Sequence, residues 1–154
     1  MHTTAAQQLT CNVCAFPNRN IKVPLGVGSE SRLVAALRSG RRLRAVSLRQ
    51  SVAPTIPVEF GALHTLDLSG CAHITAVPGL GHVHTLNLSY CSALTDVSNL
   101  GGVHNLDLTM CGALTDVSAL GSVHTLHMSN CWSLCDVSAL GGPGQVNLYL
   151  SGCK

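Results

Sequence analysis

Over much of the chain, apolar and polar positions alternate in short bursts and then fall into threes. In "HTLDLS" (64–69) Leu66 and Leu68 are separated and flanked by polar residues, as in a strand with one buried face. Beyond such a burst the apolar positions come every third residue, as at Leu94, Val97, Leu100, Val103 and Leu106. A period of three suits extended polyproline-like segments or 3₁₀ turns and not a 3.6-period α-helix. Each unit therefore reads as a strand, a corner, and a tight return path that points an apolar side chain inward at every third position.

The unit recurs. Blocks 61–80, 81–100, 101–120 and 121–140 follow one another with a period of 20, opened by Gly61, Gly81, Gly101 and Gly121. Leu66, Leu86, Leu106 and Leu126 repeat in phase, as do Leu68, Leu88, Leu108 and Met128, and Cys71, Cys91, Cys111 and Cys131. "LRAVSLRQS" (43–51) sits one period earlier with Ser51 at the cysteine position, and "NLYLSGC" (147–153) follows after the "GGPG" detour at 141–144. About six rungs are expected. One coil cannot bury its own apolar face but stacked coils can, giving a parallel sheet about 4.8 Å per strand and roughly 24 Å across. Stacked coils also need caps. "SESRLVAALRSG" (29–40) has Ser29 as an N-cap, an apolar stripe of Leu33, Val34 and Leu37, and Gly40 at its end, the signature of a capping helix. Residues 1–28 carry no readable period and are taken as an extension, with the repeat domain spanning 41–154. "LSGCK" at the other end reads as a bare strand, covered by a partner, by further chain or by the Gly-Pro-Gly detour.

Composition narrows the picture. The chain of 154 residues is 46 % apolar, 3 % aromatic and 10 % charged. That apolar fraction excludes disorder, and the scarcity of aromatics leaves a core of Leu, Val, Ala and Cys suited to regular stacking. No run of 18 apolar residues suggests a membrane span. The start lacks a basic segment followed by an apolar one, which favours an intracellular, reducing compartment (cytoplasmic or nuclear, or a virion or organellar particle) and free thiols. Charge is unevenly placed: Arg19, Lys22, Arg32, Arg38, Arg41, Arg42, Arg44 and Arg49 lie in the first 50 residues against Glu30 alone, whereas Lys154 is the one cation of residues 51–154.

The residues that could carry chemistry are mostly explained by the repeat. Cys71, Cys91, Cys111 and Cys131 form a structural ladder of small, buried, unreactive thiols. Four identical nucleophiles in the same apolar setting have no catalytic rationale. His64, His84, His104 and His124 form a second ladder, read as semi-buried neutral side chains bonded to a neighbour. If these rings are crowded, protonation below about pH 6 sets like charges side by side and destabilises the stack. Asp96, Asp116 and Asp136 recur in "L-T/C-D-V-S" and are read as caps of a short turn in preference to a calcium line. Cys11 and Cys14 form a lone C-x-x-C; His2 and Cys135 are the remaining candidates for a zinc site, which lacks a properly spaced second pair. No metal or other cofactor is expected, and no acid–base pair, nucleophile–base pair or phosphate loop points to an enzyme.

The block "C-x-x-L-T-D-V-S-A-L-G-x-V-H-T-L-x-L" resembles leucine-rich repeats. Its cysteine followed by Leu-Thr-Asp is similar to the cysteine-containing class found in substrate-recognition subunits of ubiquitin ligases. "TDVSAL" is similar to the convex segment of bacterial internalin-type repeats. The resemblance covers residues 41–153. It implies an α/β solenoid: a short leucine-rich repeat arc with a parallel sheet on the concave face, a mostly non-helical convex side and an N-terminal capping helix. It also implies a partner on the concave face, where Thr65, Asp67, Ser69, Thr85, Asn87, Ser89, Asn105, Asp107, Thr109, Thr125, His127 and Ser129 point outward by alternation. Larger anchors of the kind that dominate interfaces lie along the strand-to-loop edge, at Tyr90, Met110 and Trp132, with Tyr149 on the last strand. Asp67, Asn87, Asp107 and His127 complete the candidate surface. The favoured reading is a non-catalytic module or scaffold that binds another protein. One alternative is a structural subunit of a larger assembly, such as a viral or organellar particle. Another is a nucleic-acid contact through the basic patch Arg38, Arg41, Arg42, Arg44 and Arg49, which offers phosphate contacts without interleaved aromatics.

Overall fold

A computed structural model describes residues 20–22, 34–35, 37–38, 43–51, 56–144 and 147–153. The architecture is a β-solenoid with little helix. Its strands are β1 (Asn20–Lys22), β2 (Ala45–Ser47), β3 (Thr65–Asp67), β4 (Thr85–Asn87), β5 (Asn105–Asp107), β6 (Thr125–His127) and β7 (Asn147–Tyr149). They form one parallel sheet in sequence order. The register is the repeat itself: Leu66 pairs with Leu86, Leu86 with Leu106, and Leu106 with Leu126. A shift of one residue would turn this whole apolar column to the outer face.

Three residues make a short strand, yet the ladder runs on past each one. Leu68 N–H donates to Asn87 O at 2.8 Å and Gly70 N–H to Ser89 O at 2.8 Å, and the next rungs repeat this with Leu88 to Asp107 and Tyr90 to Thr109. Behind the sheet, Val46, Leu66, Leu86, Leu106 and Leu126 form one buried column, and Leu48, Leu68, Leu88, Leu108 and Met128 a second. The return path closes the core with the expected period of three. Several inward residues donate their N–H to the carbonyl of the previous inward residue, as in Leu94 to Cys91 (3.1 Å), Leu100 to Val97 (3.0 Å) and Val103 to Leu100 (3.0 Å). Among the described residues, only Val58–Ala62 and Ser118–Leu120 tighten into regular 3₁₀ turns.

The block-opening glycines have a steric cause. A Cβ at Gly61, Gly81, Gly101 or Gly121 would collide with the carbonyl oxygen of Gly79, Asn99, Ala119 or Ala139 on the next rung. Glycine lets successive coils approach to that distance.

The two ends of the sheet add to the repeat. β1 adds a strand, paired with β2 through Ile21 and Val46, inside the segment 1–28 where no period is legible. One strand cannot display a repeat. Of the expected capping helix over 29–40, Val34, Ala35, Leu37 and Arg38 are helical, and Val34 and Leu37 pack against the core; the remainder, with Cys11, Cys14 and His2, lies outside the described residues. At the far end the 141–144 detour does not cover the last rung: Leu148 is 36 % and Leu150 39 % exposed.

Candidate functional site

The outer face of the sheet is bounded by two borders, one where the chain enters each strand and one where it leaves. On the strands themselves the residues flanking each buried leucine are half-buried. Asp67, Asn87 and Asp107 are not free to greet a partner with their full polar capacity. Their Oδ1 atoms accept the backbone N–H of Ser69 (3.0 Å), Ser89 (2.9 Å) and Thr109 (2.9 Å). These side chains hold the corner in place, in the manner of Asx turns. Ser69 and Ser89, expected to point to solvent, are buried at 5 % and 7 % exposure. Ser89 Oγ donates to Asn87 Oδ1 at 2.7 Å, and Arg49 Nε donates to Ser69 Oγ at 2.8 Å. The recurring D/N-L-S/T was the legible signal for these turn bonds. His127 breaks the column and instead stacks on Tyr149, with ring centroids 4.2 Å apart and planes at 3°.

The exit border carries the larger candidates. Gln50, Tyr90, Met110 and Asn130 adopt left-handed backbone, with φ of 56°, 63°, 66° and 59°. Gly70 and Gly152 take the same place with φ of 74° and 68°. A turn whose inner residue needs φ > 0 prefers glycine or asparagine, so Tyr90 and Met110 are held there against their local preference. Gly70, Asn130 and Gly152 in the same phase were the available clue. Tyr90 is 58 % exposed, and Met110 is half-buried on the next rung. Trp132 lies back over the preceding rung. A Cβ on Gly112 would sit 2.5, 2.6 and 2.7 Å from three atoms of its indole. The indole thus rests on bare backbone while Trp132 stays 50 % exposed. Tyr90, Met110 and Trp132 gather along one border over consecutive rungs. The His127–Tyr149 pair sits apart from them, on the strands at the end of the sheet.

On the entry border His64 stacks on His84 and His104 on His124, while His84 and His104 meet with their planes tilted by 30°. Their centroid separations are 4.5, 4.6 and 4.3 Å. The first three are exposed and His124 half-buried, so the column is more open than alternation suggested. Nδ1 of His64 and of His84 lies 3.2 Å from Oγ1 of the following threonine. Burial first, then the neighbouring rings His124 and His84, holds His104 below the usual imidazole range. Among the described residues no group of three or more His, Cys, Asp or Glu is placed to hold a metal ion.

The cysteine ladder is internal. Cys71, Cys91, Cys111 and Cys131 are free thiols with no exposed surface. Each Sγ donates to a carbonyl of the previous rung: Leu48, Leu68, Leu88 and Leu108, at 3.3, 3.3, 3.2 and 3.2 Å. Cys153 continues the series to Met128 O at 3.0 Å. Burial pushes the Cys91 thiol up to about 12 and Cys131 to about 11, and raises Cys111 as well. A thiol held that far from ionisation is a poor nucleophile at neutral pH. The acidic line is local too: Asp96, Asp116 and Asp136 accept the N–H of Ser98, Ser118 and Ser138 at 2.9, 2.8 and 2.8 Å. Those bonds hold the three carboxyls below their usual range.

The basic patch is partly committed to the protein itself. Arg38 pairs with Glu59, and Arg49 reaches Asp67 at 3.3 Å. Arg44 is exposed on the rung before His64, whereas Arg41 and Arg42 lie outside the described residues. No helix among the described residues is long and apolar enough to cross a membrane. Comparison with protein-family models, curated proteins and solved structures finds no match to the chain.

Proposed function

We propose that the protein is a non-catalytic interaction module of the leucine-rich repeat type, with residues 29–40 as its N-terminal capping helix. Its partner is another protein, bound across the exit border and the far end of the sheet. The observation that carries this reading is the concentration of large exposed side chains there. Tyr90, Trp132 and Tyr149 are at least half exposed, whereas the rest of the outer face is small, polar and occupied by internal hydrogen bonds. Aromatic side chains that are already positioned by backbone or by stacking lose little entropy on binding, which is why they serve as anchors. Trp132 on Gly112 and Tyr149 on His127 meet that condition. The test is affinity capture from the native source with the wild-type chain and with a Tyr90→Ala, Trp132→Ala, Tyr149→Ala variant. A partner retained by the first and lost by the second is the expected result. Equal capture by both removes the assignment.

One observation favours a second reading, a subunit of a larger assembly. The last rung leaves Val137, Leu148 and Leu150 between 36 % and 39 % exposed, an apolar surface that a neighbouring subunit or a further rung would cover. A monodisperse monomer that retains partner capture argues against it. Nucleic-acid binding through the basic patch has less support, because Arg38 and Arg49 already serve internal carboxylates.

A further inference from the structure

The entry border has no part in the function proposed above, and its chemistry differs from the rest of the surface. Four imidazoles stand in a column, with neighbouring ring centroids 4.3 to 4.6 Å apart. Arg44 begins the same column one rung earlier, since both His64 and Thr65 donate their N–H to Arg44 O. The rings cover one another's faces, which leaves their edges as the groups to meet a ligand. Beside them runs a row of neutral hydrogen-bonding groups: Thr65, Thr85, Asn105, Thr125 and Asn147. Asn105 Nδ2 donates to Thr85 Oγ1 at 3.4 Å and Asn147 Nδ2 to Thr125 Oγ1 at 3.5 Å.

The charged groups around the column are few. Arg44 is in line with it. His82 precedes His84 by two residues on the return path, where the other rungs carry Ala62, Gly102 and Ser122. Further along the strands lie Asp67, Asp107 and His127. Both carboxylates accept backbone N–H groups at the corner, and Asp67 also meets Arg49 and Ser47. The charges acting on His104 are its two ring neighbours. Among the described residues, a protonated column therefore has no built-in counter-charge.

We propose that the His64, His84, His104 and His124 column, with Arg44 at its head, is a proton-gated binding stripe for a linear acidic polysaccharide. Neutral rings stack without penalty. Protonated rings at this spacing repel, and an anionic polymer laid along their edges removes the repulsion. Its sulfate or carboxylate groups accept from the ring N–H and from Arg44, and its hydroxyls exchange hydrogen bonds with the threonine and asparagine row. Nucleobases gain little here, because the ring faces between His64 and His124 on which they would stack are already covered by one another. Proton uptake and polymer binding must reinforce each other equally, by linkage.

The test uses heparin fragments as the probe at fixed ionic strength. Affinity is compared at pH 7.5 and 5.5 for the wild type, for His104→Asn, and for His73→Asn. The two variants each remove one imidazole. The expected result is at least a tenfold gain in affinity on acidification for the wild type and for His73→Asn, and loss of most of that gain in His104→Asn. If His104→Asn fails to fold, histidine C2–H titration by NMR in the wild-type chain decides. Heparin must raise the midpoints of the column rings and leave that of His73 in place. Equal gains in both variants, or midpoints that move uniformly, overturn the proposal as a general charge effect. Single-stranded DNA of matched charge binding as tightly as heparin overturns the polysaccharide assignment, as does saturation by inorganic sulfate alone.

Discussion

The two borders of the sheet obey opposite rules. Where the chain enters each strand, one residue type recurs: His64, His84, His104 and His124, stacked within 4.6 Å of one another. Where it leaves, the residue changes from each rung to the next: Gln50, Gly70, Tyr90, Met110, Asn130 and Gly152 share a left-handed backbone. The difference teaches what the stack demands of each site. On the entry border neighbouring side chains touch, so each rung constrains the next. On the exit border the turn is held by backbone hydrogen bonds, such as Tyr90 N–H to Thr109 O at 2.8 Å, and the side chain varies, with glycine at Gly70 and Gly152 where Gln50 and Asn130 of the preceding rung lie over the backbone. Variation of that kind is where recognition can be written without disturbing the fold.

The sharpest break of the contrast lies in the repeating interior that supports both borders. Leu106→Ala removes a fully buried side chain from the middle of its column and is expected to cost about 2–5 kcal/mol. The same change at the partly exposed Leu148 should cost clearly less, and chemical denaturation measures both. Equal costs would mean that the last rung is covered in solution.

Acidification is the next largest effect. His104 titrates below its unfolded value of 6.5, so between the two values the unfolded chain binds more protons than the folded one. Stability is therefore complete above pH 6.5 and falls as pH drops through the folded-state value. The melting temperature at pH 5 should be lower than at pH 7.5, and substitution of His84 and His104 by Asn should flatten that slope. The thiol ladder gives the mirror image. Cys91 and Cys131 titrate near 12 and 11 against 9.0 unfolded, so stability holds below pH 9 and is lost as pH rises towards those values.

On the exit border, changes should be mild for folding and severe for binding. Tyr90→Gly relieves a left-handed conformation that costs a side-chain residue about 1–2 kcal/mol, against a glycine entropy cost of about 0.5–1 kcal/mol. Its stability should remain within about 1 kcal/mol of wild type, while partner capture falls. The smallest effect is optical. Trp132 is the single tryptophan of the chain, and Gly112→Ala must lift its indole from the backbone. A red shift of fluorescence with nearly unchanged stability is expected; an unshifted spectrum would mean that the indole does not rest there.

Much of this was legible before any coordinates. A strand burst followed by apolar residues in threes specifies a coil that must stack, and the period of 20 sets the register by bringing equivalent residues together. The inward columns, the turn caps at Asp96, Asp116 and Asp136, and the buried cysteines follow from that, because each depends on a position within one repeat. What depends on the neighbouring rung did not. The exposure of the histidine column, the commitment of Asp67, Asn87 and Asp107 to the corner, the left-handed backbone beneath Tyr90 and Met110, and the seat of Trp132 on Gly112 needed the stacked coils. β1 needed them as well, since its pairing is made by a segment with no period of its own. Periodicity states which way a side chain points; what it meets there is decided by a residue one rung away, at a distance the chain itself does not carry.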